Sequence, residues 1–340
     1  MLQAVIVAPD RFEVRSVRRP LIGDGEMLLR TLACGICSGD LMPWYLAKKV
    51  GTVLGHEPVG RAVEVGHTVT HIKPGDLVFA HHHAPCLRCT ECERGAHVHC
   101  ATWKRTALDP GGMAEYIRLP AEIVKADAFA VNDLHPELAL FIEPLGCCIK
   151  AFRRVGGRIA VRNSRVAVVG CGIMGLLNIQ TARALEAREV IGVEPDPHRR
   201  ELAARCGAVP MTPEEASGTL RRAADIVVIG PGSPDVIRQS LGHVRDAGVA
   251  CLFTPTASGV TTAVDLGDLY FRDVSLVPSY SCGPWETRFA YQALRSGRID
   301  PQPLITHRFP LTDVQRAFDT AKAGGATVKV IVTFPEEPDR

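Results

Sequence analysis

Short apolar runs, broken by glycine and proline, fill the first part of the chain: QAVIVA, EMLLRTLA, GRAVEVG and DLVFA. Runs of this length bounded by turn residues predict an antiparallel β structure over residues 1–145. After residue 164 the pattern changes to an apolar strand, a glycine turn, a helical run and a second apolar strand. That alternation predicts βαβ units, so we expect a doubly wound parallel sheet over residues 146–278.

The last part of the chain returns to a mixed pattern. WETRFAYQALRSGRI and LTDVQRAFDTAKAG predict amphipathic helices, and TVKVIVTF predicts a strand that rejoins the first domain. We therefore assign residues 279–340 to that domain. A chain of 340 residues exceeds the size at which one hydrophobic core stops growing, which agrees with two domains.

Composition and charge exclude two classes of partner. The chain is 46% hydrophobic and 22% charged with a net charge of +2, which leaves no strongly basic face for a nucleic acid. No apolar run approaches the roughly 20 residues that span a bilayer, and Asp10 and several arginines interrupt the start where a signal peptide is apolar. We expect a cytoplasmic protein with no membrane partner.

Twelve cysteines in a chain of this kind predict metal binding or buried thiols, because the cytoplasm keeps thiols reduced. CLRCTECERGAHVHC places four of them at x2, x2 and x7 spacings, which bring four thiolates together as a closed structural zinc site requires. An iron–sulfur cluster and four unliganded thiols are the alternatives. The predicted zinc ligands are Cys86, Cys89, Cys92 and Cys100. Six scattered cysteines are expected to be small buried hydrophobes: Cys147, Cys148, Cys171, Cys206, Cys251 and Cys282.

A glycine motif marks a nucleotide site. Gly170, Gly172 and Gly175 follow an apolar strand and open a helix, as a dinucleotide-binding turn requires. Glu194, about 20 residues later, can accept hydrogen bonds from both ribose hydroxyls and would repel a 2′-phosphate, which favours NAD over NADP. Arg199 and Arg200 could attract a 2′-phosphate, which keeps NADP as the alternative cofactor, and Asp196 is an alternative to Glu194. The residues expected to bind the cofactor are Gly170, Gly172, Ile173, Met174, Gly175, Glu194 and Arg199.

Three further residues at glycine- or proline-flanked turns form a candidate catalytic metal site. Cys37 in ACGICSGD, His56 in LGHEPVG and Glu143 in FIEPLG are suitable zinc ligands. Three protein ligands leave one position for water or an alcohol, whose pKa the metal lowers. The sequence alone leaves the alternative of a buried thiol, a turn histidine and a helix-capping carboxylate.

GICSGD, GHE, the four cysteines, EPL and GCGIMG occur in this order along nearly the whole chain, and together they resemble the zinc-containing medium-chain dehydrogenase family. The resemblance implies an α/β fold. A GroES-like β-rich catalytic domain would comprise residues 1–145 and 279–340 and carry the zinc lobe at 86–100. A Rossmann domain with a doubly wound parallel sheet would comprise residues 146–278.

The resemblance also implies roles for the site residues. Cys37 and His56 match the first two ligands of the catalytic zinc, and Glu143 matches the third, which is Cys in ethanol-type members and Glu in polyol- and threonine-type members. Glu57 is similar to a residue that binds or orients the zinc. Asp40 would accept a hydrogen bond from a metal-bound histidine, although a solvated loop aspartate is the alternative.

One position departs from the family pattern. Many relatives carry a serine or threonine two residues after the cysteine, where it passes the substrate proton towards solvent, but here that residue is Gly39. Ser38 is a weak substitute, because it lies one residue early. Metal-bound water with Glu57, or a substrate hydroxyl, is the other candidate proton carrier.

Two polar or aromatic clusters are expected to be structural or to line a pocket. The histidines of FAHHHAPC alternate in direction if they lie on an extended strand, so we expect His81, His82 and His83 to line a pocket or support it. Met42, Trp44 and Tyr45 are also candidates for the pocket wall.

These observations predict a zinc- and NAD-dependent oxidoreductase that oxidises a secondary alcohol, such as a polyol, sugar, cyclitol or amino alcohol, to a ketone. We expect two zinc ions per chain, one catalytic and one structural, and a homodimer or homotetramer. The alternative is a non-catalytic NAD-binding scaffold or sensor that keeps only the structural zinc.

Overall fold

The computed structural model describes residues 1–335. The chain divides into two compact units, one formed by Met1–Pro144 with Cys282–Arg340 and the other by Leu145–Ser281. We call them the split unit and the central unit. The sequence pattern predicts domain boundaries at 145/146 and 278/279.

Within residues 1–335, the split unit contains nine strands. The strands are β1 (Leu2–Ala8), β2 (Arg11–Ser16), β3 (Met27–Gly35), β4 (Glu57–Val65), β5 (Leu77–Ala80), β6 (Tyr116–Leu119), β7 (Ala128–Ala130), β14 (Ile305–Pro310) and β15 (Lys329–Thr333). Its helices are α1 (Pro43–Leu46), α2 (Thr90–Glu93), α3 (Ala101–Arg105), α4 (Ala121–Asp127), α5 (Pro136–Ala139), α12 (Pro284–Arg295) and α13 (Val314–Ala323). Helix α6 (Ile142–Gly156) begins in the split unit and continues into the central one.

The main sheet of the split unit has the strand order β14-β15-β3-β4-β5-β7, with β6 paired to the other half of β3. All of these pairs are antiparallel except β14 with β15, which α13 connects. Strand β15 pairs with β3, with Val332 opposite Cys34, so the prediction that TVKVIVTF rejoins the first domain is confirmed. A core that includes Phe318, Met113 and Leu46, each fully buried, lies on one face.

The central unit alternates strand and helix. Its strands are β8 (Arg165–Val169), β9 (Glu189–Val193), β10 (Val209–Met211), β11 (Ala224–Ile229), β12 (Val244–Leu252) and β13 (Ser275–Pro278). Its other helices are α7 (Ile173–Ala184), α8 (Pro197–Arg205), α9 (Pro213–Thr219), α10 (Pro234–Leu241) and α11 (Leu266–Phe271).

The six strands of the central unit form one parallel sheet in the order β10-β9-β8-β11-β12-β13. Strand order reverses between β8 and β11, and a ligand binds at the carboxyl ends of strands beside such a reversal. The predicted doubly wound sheet is confirmed. Within residues 1–335, no helix combines the length and the apolar character that crossing a bilayer requires.

Candidate active site

The glycine turn of the central unit has the geometry that a dinucleotide-binding turn needs. Gly170 has φ +85°, a left-handed conformation that glycine adopts without strain. A Cβ on Gly175 would lie 1.8 Å from the carbonyl oxygen of Gly170, so only glycine allows α7 to approach β8 this closely. Gly172 caps α7 without a side chain, and the amide groups at this helix start face the position that a phosphate takes.

The carboxylate of Glu194 lies beside this turn. It is buried, with Oε2 accepting a hydrogen bond from the Cys171 amide at 2.7 Å and Oε1 accepting one from the Asp196 amide at 3.1 Å. Asp196 itself caps α8, because Oδ1 accepts from the Arg199 amide. Glu194 rather than Asp196 is therefore the carboxylate that contacts the glycine turn.

Arg199 and Arg200, the two arginines near Glu194, make different contacts. Arg200 Nη1 donates to the main-chain oxygens of Glu194 and Pro195, at 2.8 and 2.7 Å. Arg199 Nη1 lies 4.0 Å from the position of a Cβ on Gly172. Arg199 thus lies at the glycine turn, whereas the side chain of Arg200 is hydrogen-bonded to main-chain oxygens.

The four-cysteine lobe, residues 86–100, brings its sulfur atoms together locally. All four Sγ atoms lie within 4.8 Å of one another, and none of the cysteines forms a disulfide. Cys89 Sγ is 3.6 Å from Cys92 Sγ, close to the separation of about 3.8 Å that Zn–S bonds of about 2.3 Å give in a tetrahedron. The lobe has its own small core around Val98 and Trp103.

The thiol of Cys100 has a lowered pKa. Although burial opposes ionisation, hydrogen bonds from the main-chain amides of Cys86, Trp103 and Thr102 lower its pKa to about 6. A thiolate is the form that binds zinc. The donor set and the spacing of the sulfur atoms therefore fit a closed zinc site.

A second set of ligand atoms, which we call the Cys37 group, consists of Cys37, His56 and Glu57. These atoms lie within 4.8 Å of one another, although they come from the turn after β3 and from the start of β4. Pairing of Gly35 with Glu57 across β3 and β4 brings the two turns together. The structure thus unites Cys37 with His56 as the sequence predicts, but the carboxylate grouped with them is that of Glu57.

Glu57 also contacts a charged residue that the sequence analysis missed. Its Oε2 accepts from Nζ of Lys329, and both side chains are almost fully buried. Lys329 also donates to the main-chain oxygen of Ile36 at 3.1 Å. A Cβ on Gly35 would lie 2.0 Å from Glu57 Oε2, so the glycine makes room for this ion pair. The signal in the sequence was a lysine inside the apolar strand TVKVIVTF.

Asp40 supports His56. Oδ1 of the fully buried Asp40 lies 3.3 Å from Nδ1 of His56, which leaves Nε2 as the ring nitrogen available to a metal. Burial lowers the pKa of His56, but the carboxylate of Asp40 and the sulfur of Cys37 raise it more strongly, so the net shift is upward. Burial raises the pKa of the Cys37 thiol.

An unsatisfied oxygen atom in this region tests whether a metal ion fits. Oε1 of Glu57 is buried without a hydrogen bond in the described part of the chain. A buried carboxylate oxygen requires a compensating donor or cation. Together with the thiol of Cys37 and the imidazole of His56, this oxygen forms a donor set that suits a zinc ion.

Glu143, the third ligand that the sequence predicts, lies in a different set of ligand atoms. At the start of α6 its carboxylate groups with His81 and Cys282, again within 4.8 Å. We call this set the His81 group. His82 Nδ1 lies 4.0 Å from Glu143 Oε1, as does His81 Nε2.

The expectation that the histidines alternate in direction is wrong for His81 and His82. Strand β5 ends at Ala80, so the histidines follow the strand instead of extending it, and both rings approach Glu143. Sequence reasoning also treated Cys282 only as a buried hydrophobe, and nothing in its local spacing indicates a role.

Residue 39, where relatives carry the hydroxyl that relays the proton, is a glycine and has no side chain. Gly39 donates its amide to Cys37 Sγ at 3.4 Å, and Ser38 begins a short 3-10 helix, Ser38–Leu41. A Cβ on Gly39 would meet only Cys37 Sγ, at 3.6 Å. A side chain at residue 39 would therefore fit beside the thiol.

Comparison with known proteins places the chain among dehydrogenases. Residues 23–128 match the family model for the alcohol dehydrogenase GroES-like domain, and residues 136–334 match the model for the glucose dehydrogenase C-terminus. The chain is 30% identical to the L-threonine 3-dehydrogenase of Bacillus velezensis, with 92% of each chain covered. It is 30% identical to the erythritol/L-threitol dehydrogenase of Mycolicibacterium smegmatis, covering 97% of this chain and 96% of that one.

Solved structures show the same similarity. A Sinorhizobium meliloti protein, crystallised with NADP bound, superposes with a TM-score of 0.87 at 27% identity over 98% of this chain and 99% of that one. A zinc-dependent alcohol dehydrogenase from Streptococcus pneumonia superposes with a TM-score of 0.86 at 26% identity over the whole of both chains.

Proposed function

The chain belongs to the zinc-containing medium-chain dehydrogenases, enzymes that use zinc and NAD(P), and on this premise we propose that it oxidises a secondary alcohol to a ketone. The observation that carries the proposal is the Cys37 group, in which Cys37 and His56 are half-buried and Glu57 is buried with an unsatisfied Oε1. A scaffold that only bound a nucleotide would have no use for such a donor set.

Each residue of the Cys37 group has a role in this proposal. Cys37 and His56 would hold a catalytic zinc, with Oε1 of Glu57 as the third ligand, because Oε2 is engaged by Lys329. Asp40 fixes the ring of His56 through Nδ1. When bound, the zinc lowers the pKa of the alcohol hydroxyl so that its carbon can release a hydride. The four cysteines of the lobe would hold a second, structural zinc.

Oxidation of the alcohol releases a hydride, which NAD accepts, and a proton, which must leave the site. Without a hydroxyl at residue 39, Ser38 or a second hydroxyl of the substrate would carry this proton, because Glu57 is the proposed metal ligand and its Oε2 accepts from Lys329. Nicotinamide cofactor would bind at the glycine turn of the central unit, with Glu194 accepting hydrogen bonds from the ribose. A carboxylate there disfavours a 2′-phosphate, so we propose NAD as the preferred cofactor.

The names of two relatives support a substrate class. Threonine and erythritol or threitol, named for two of them, are small molecules with a secondary hydroxyl beside a second polar group. We propose a polyol, sugar, cyclitol or amino alcohol for this chain, acting in the cytoplasm as a homodimer or homotetramer.

The test is a panel of such alcohols with NAD or NADP, followed by the absorbance of the reduced cofactor. We expect turnover with at least one polyol or amino alcohol, and loss of turnover in Cys37→Ala. Cys251→Ala, a buried thiol of the central unit outside the ligand groups, is the matched control and should retain activity. Bound NAD with no turnover on any alcohol would favour the scaffold instead.

The third ligand can be tested separately. Glu57→Gln and Glu143→Gln each remove one carboxylate charge with little change in shape. We expect Glu57→Gln to lose the catalytic zinc, whereas the reverse result would assign that role to Glu143.

A further inference from the structure

Two adjacent lysines, Lys48 and Lys49, lie on the segment that connects Cys37 to His56. They belong to a short 3-10 helix that directly continues α1. Residues 41–56 include no aspartate or glutamate, so this segment is purely basic. On the premise of the proposed alcohol oxidation, we propose that the substrate carries a phosphate group and that these two lysines bind it.

Each of the two lysine side chains lies against an aromatic ring four residues before it. Nζ of Lys48 is 5.7 Å from the ring centroid of Trp44, and Nζ of Lys49 is 5.2 Å from that of Tyr45. Residues at this spacing are neighbours on a helix surface. A cation–π contact restrains an ammonium group and leaves N–H donors for an oxygen ligand.

The two ammonium groups have no acidic partner in the protein. Lys322 at the surface pairs with Asp10, but within residues 1–335 neither Lys48 nor Lys49 pairs with a carboxylate. Both charges are therefore available to an anion from solution. Because a lysine acts as a compact point charge, it is a common ligand for phosphate groups.

The positive charge of Lys49 acts close to the Cys37 group. Burial is the main cause that lowers the pKa of His82, and the charges of neighbouring histidines and of Lys49 lower it further. Burial is also the main cause for His83, whose pKa Lys49 lowers as well. The ring centroid of His82 is 4.9 Å from that of His56. A phosphate at the lysines and an alcohol at the Cys37 group therefore suit the two ends of one small molecule.

The backbone that carries the lysines is fixed by the rest of the split unit. Leu46 is fully buried in the core. The main-chain oxygen of Lys49 accepts from the amide of Thr52 at 3.0 Å and from its hydroxyl at 2.7 Å. Gly51 donates its amide to the main-chain oxygen of Ile6 at 2.7 Å. Two cations on a fixed backbone lose little conformational freedom when an anion binds.

A phosphate ester matches the charge of this pair. A phosphate group carries a charge of about −1.5 to −2 at pH 7 and has three terminal oxygens that accept hydrogen bonds. Two ammonium groups can therefore share it and neutralise it. A carboxylate carries a single charge and would leave one of the two lysines uncompensated.

Two matched sets of compounds test the proposal. The four-carbon set is erythritol, erythronate and erythritol 4-phosphate, and the six-carbon set is sorbitol, gluconate and sorbitol 6-phosphate. The zinc-loaded chain with saturating NAD is titrated with each compound by calorimetry and assayed for kcat and KM. In at least one set we expect the phosphate ester to bind about 10-fold or more tightly than the other two members, and the advantage should fall as salt increases.

Lysine variants identify the groups that bind the phosphate. We expect KM for the phosphate ester to rise about 10-fold in Lys49→Met and about 100-fold in Lys48→Met/Lys49→Met, with a smaller change in kcat. Lys49→Arg keeps the charge and should keep most of the preference. Lys322→Met is the matched control, because it makes the same substitution at a lysine that pairs with Asp10, and it should bind the ester as the unaltered chain does.

Three outcomes would overturn the proposal. They are no measurable binding of either phosphate ester, affinity for the neutral alcohol or the carboxylate that equals or exceeds that for the ester in both sets, and a preference for the ester that survives in the double variant. The proposed alcohol oxidation is judged separately. An ester that binds through the lysines but is not oxidised would refute the oxidation and leave the phosphate site standing. Turnover confined to neutral alcohols would do the opposite.

Discussion

The four-cysteine lobe and the Cys37 group are both candidate zinc sites, but they are built in opposite ways. The lobe takes all of its ligands from fifteen consecutive residues, 86–100, and two of its sulfurs belong to half-buried residues. The Cys37 group joins two turns through the pairing of β3 with β4, and it is surrounded by the buried charges of Asp40 and Lys329. A closed structural site needs only local spacing, whereas an open reactive site needs a fold around it.

The largest expected effect is a loss of turnover when the Cys37 group is altered, which we do not expect when the four-cysteine lobe is altered. Cys37→Ala removes a proposed ligand of the catalytic zinc, and we expect turnover to fall by about 10³- to 10⁴-fold, since a Lewis acid supplies several kcal/mol of transition-state stabilisation. The thermal midpoint should change little. Steady-state rates and differential scanning calorimetry measure both, and an equal loss of activity in Cys251→Ala would contradict the assignment.

For the four-cysteine lobe we expect a loss of stability with little loss of turnover. Cys100→Ala removes a thiolate from the proposed structural zinc site, whose metal binding would contribute to folding, and we expect a stability loss on the order of 4 kcal/mol. Turnover per folded molecule at low temperature should be retained. Urea unfolding with and without a chelator measures this, and a chelator that affects Cys100→Ala as much as the unaltered chain would argue against a zinc ion in the lobe.

The buried ion pair of Lys329 with Glu57 allows the contribution of a buried charge pair to stability to be compared with that of an exposed one. Lys329→Met leaves Glu57 buried without its cation, which we expect to cost about 3 kcal/mol in the free energy of unfolding. The double variant Lys329→Met/Glu57→Gln should recover much of this loss. Lys322, paired with Asp10 at the surface, is the matched control, and Lys322→Met should cost under about 1 kcal/mol.

A buried carboxylate makes stability in the split unit depend on pH. Burial raises the pKa of Asp127 to about 7, although a hydrogen bond from Thr287 at 2.6 Å opposes the shift. This pKa is above the value in the unfolded chain. The contribution of Asp127 to the free energy of unfolding is therefore fully present below pH 4 and is lost as pH rises through 7.

Asp127→Asn should remove this pH dependence. It keeps an oxygen that accepts from Thr287, and at pH above about 7 it should stabilise the chain by on the order of 2 kcal/mol. Urea unfolding at several pH values measures the slope. Glu93→Gln, which alters an exposed carboxylate of the lobe, is the control and should leave the slope unchanged.

The sequence predicted most of the fold and part of the site. Hydrophobic periodicity identified the βαβ alternation of the central unit, and the strand TVKVIVTF was correctly assigned to the sheet of the split unit. Both predictions rely on patterns that repeat locally. The position of Glu143 relative to the ligand groups and the burial of Lys329 opposite Glu57 were not predictable, since each depends on how distant segments pack.

By itself, the sequence determined the features that local geometry controls. Cysteines with two residues between them approach one another through a single turn, and Gly175 permits the close contact of helix and strand wherever the motif occurs. Only the tertiary structure decided which carboxylate joins Cys37 and His56 and which joins His81 and Cys282. The physical reason is that a buried charge is stable only beside a partner, and the chain folds so that residues far apart in sequence supply those partners.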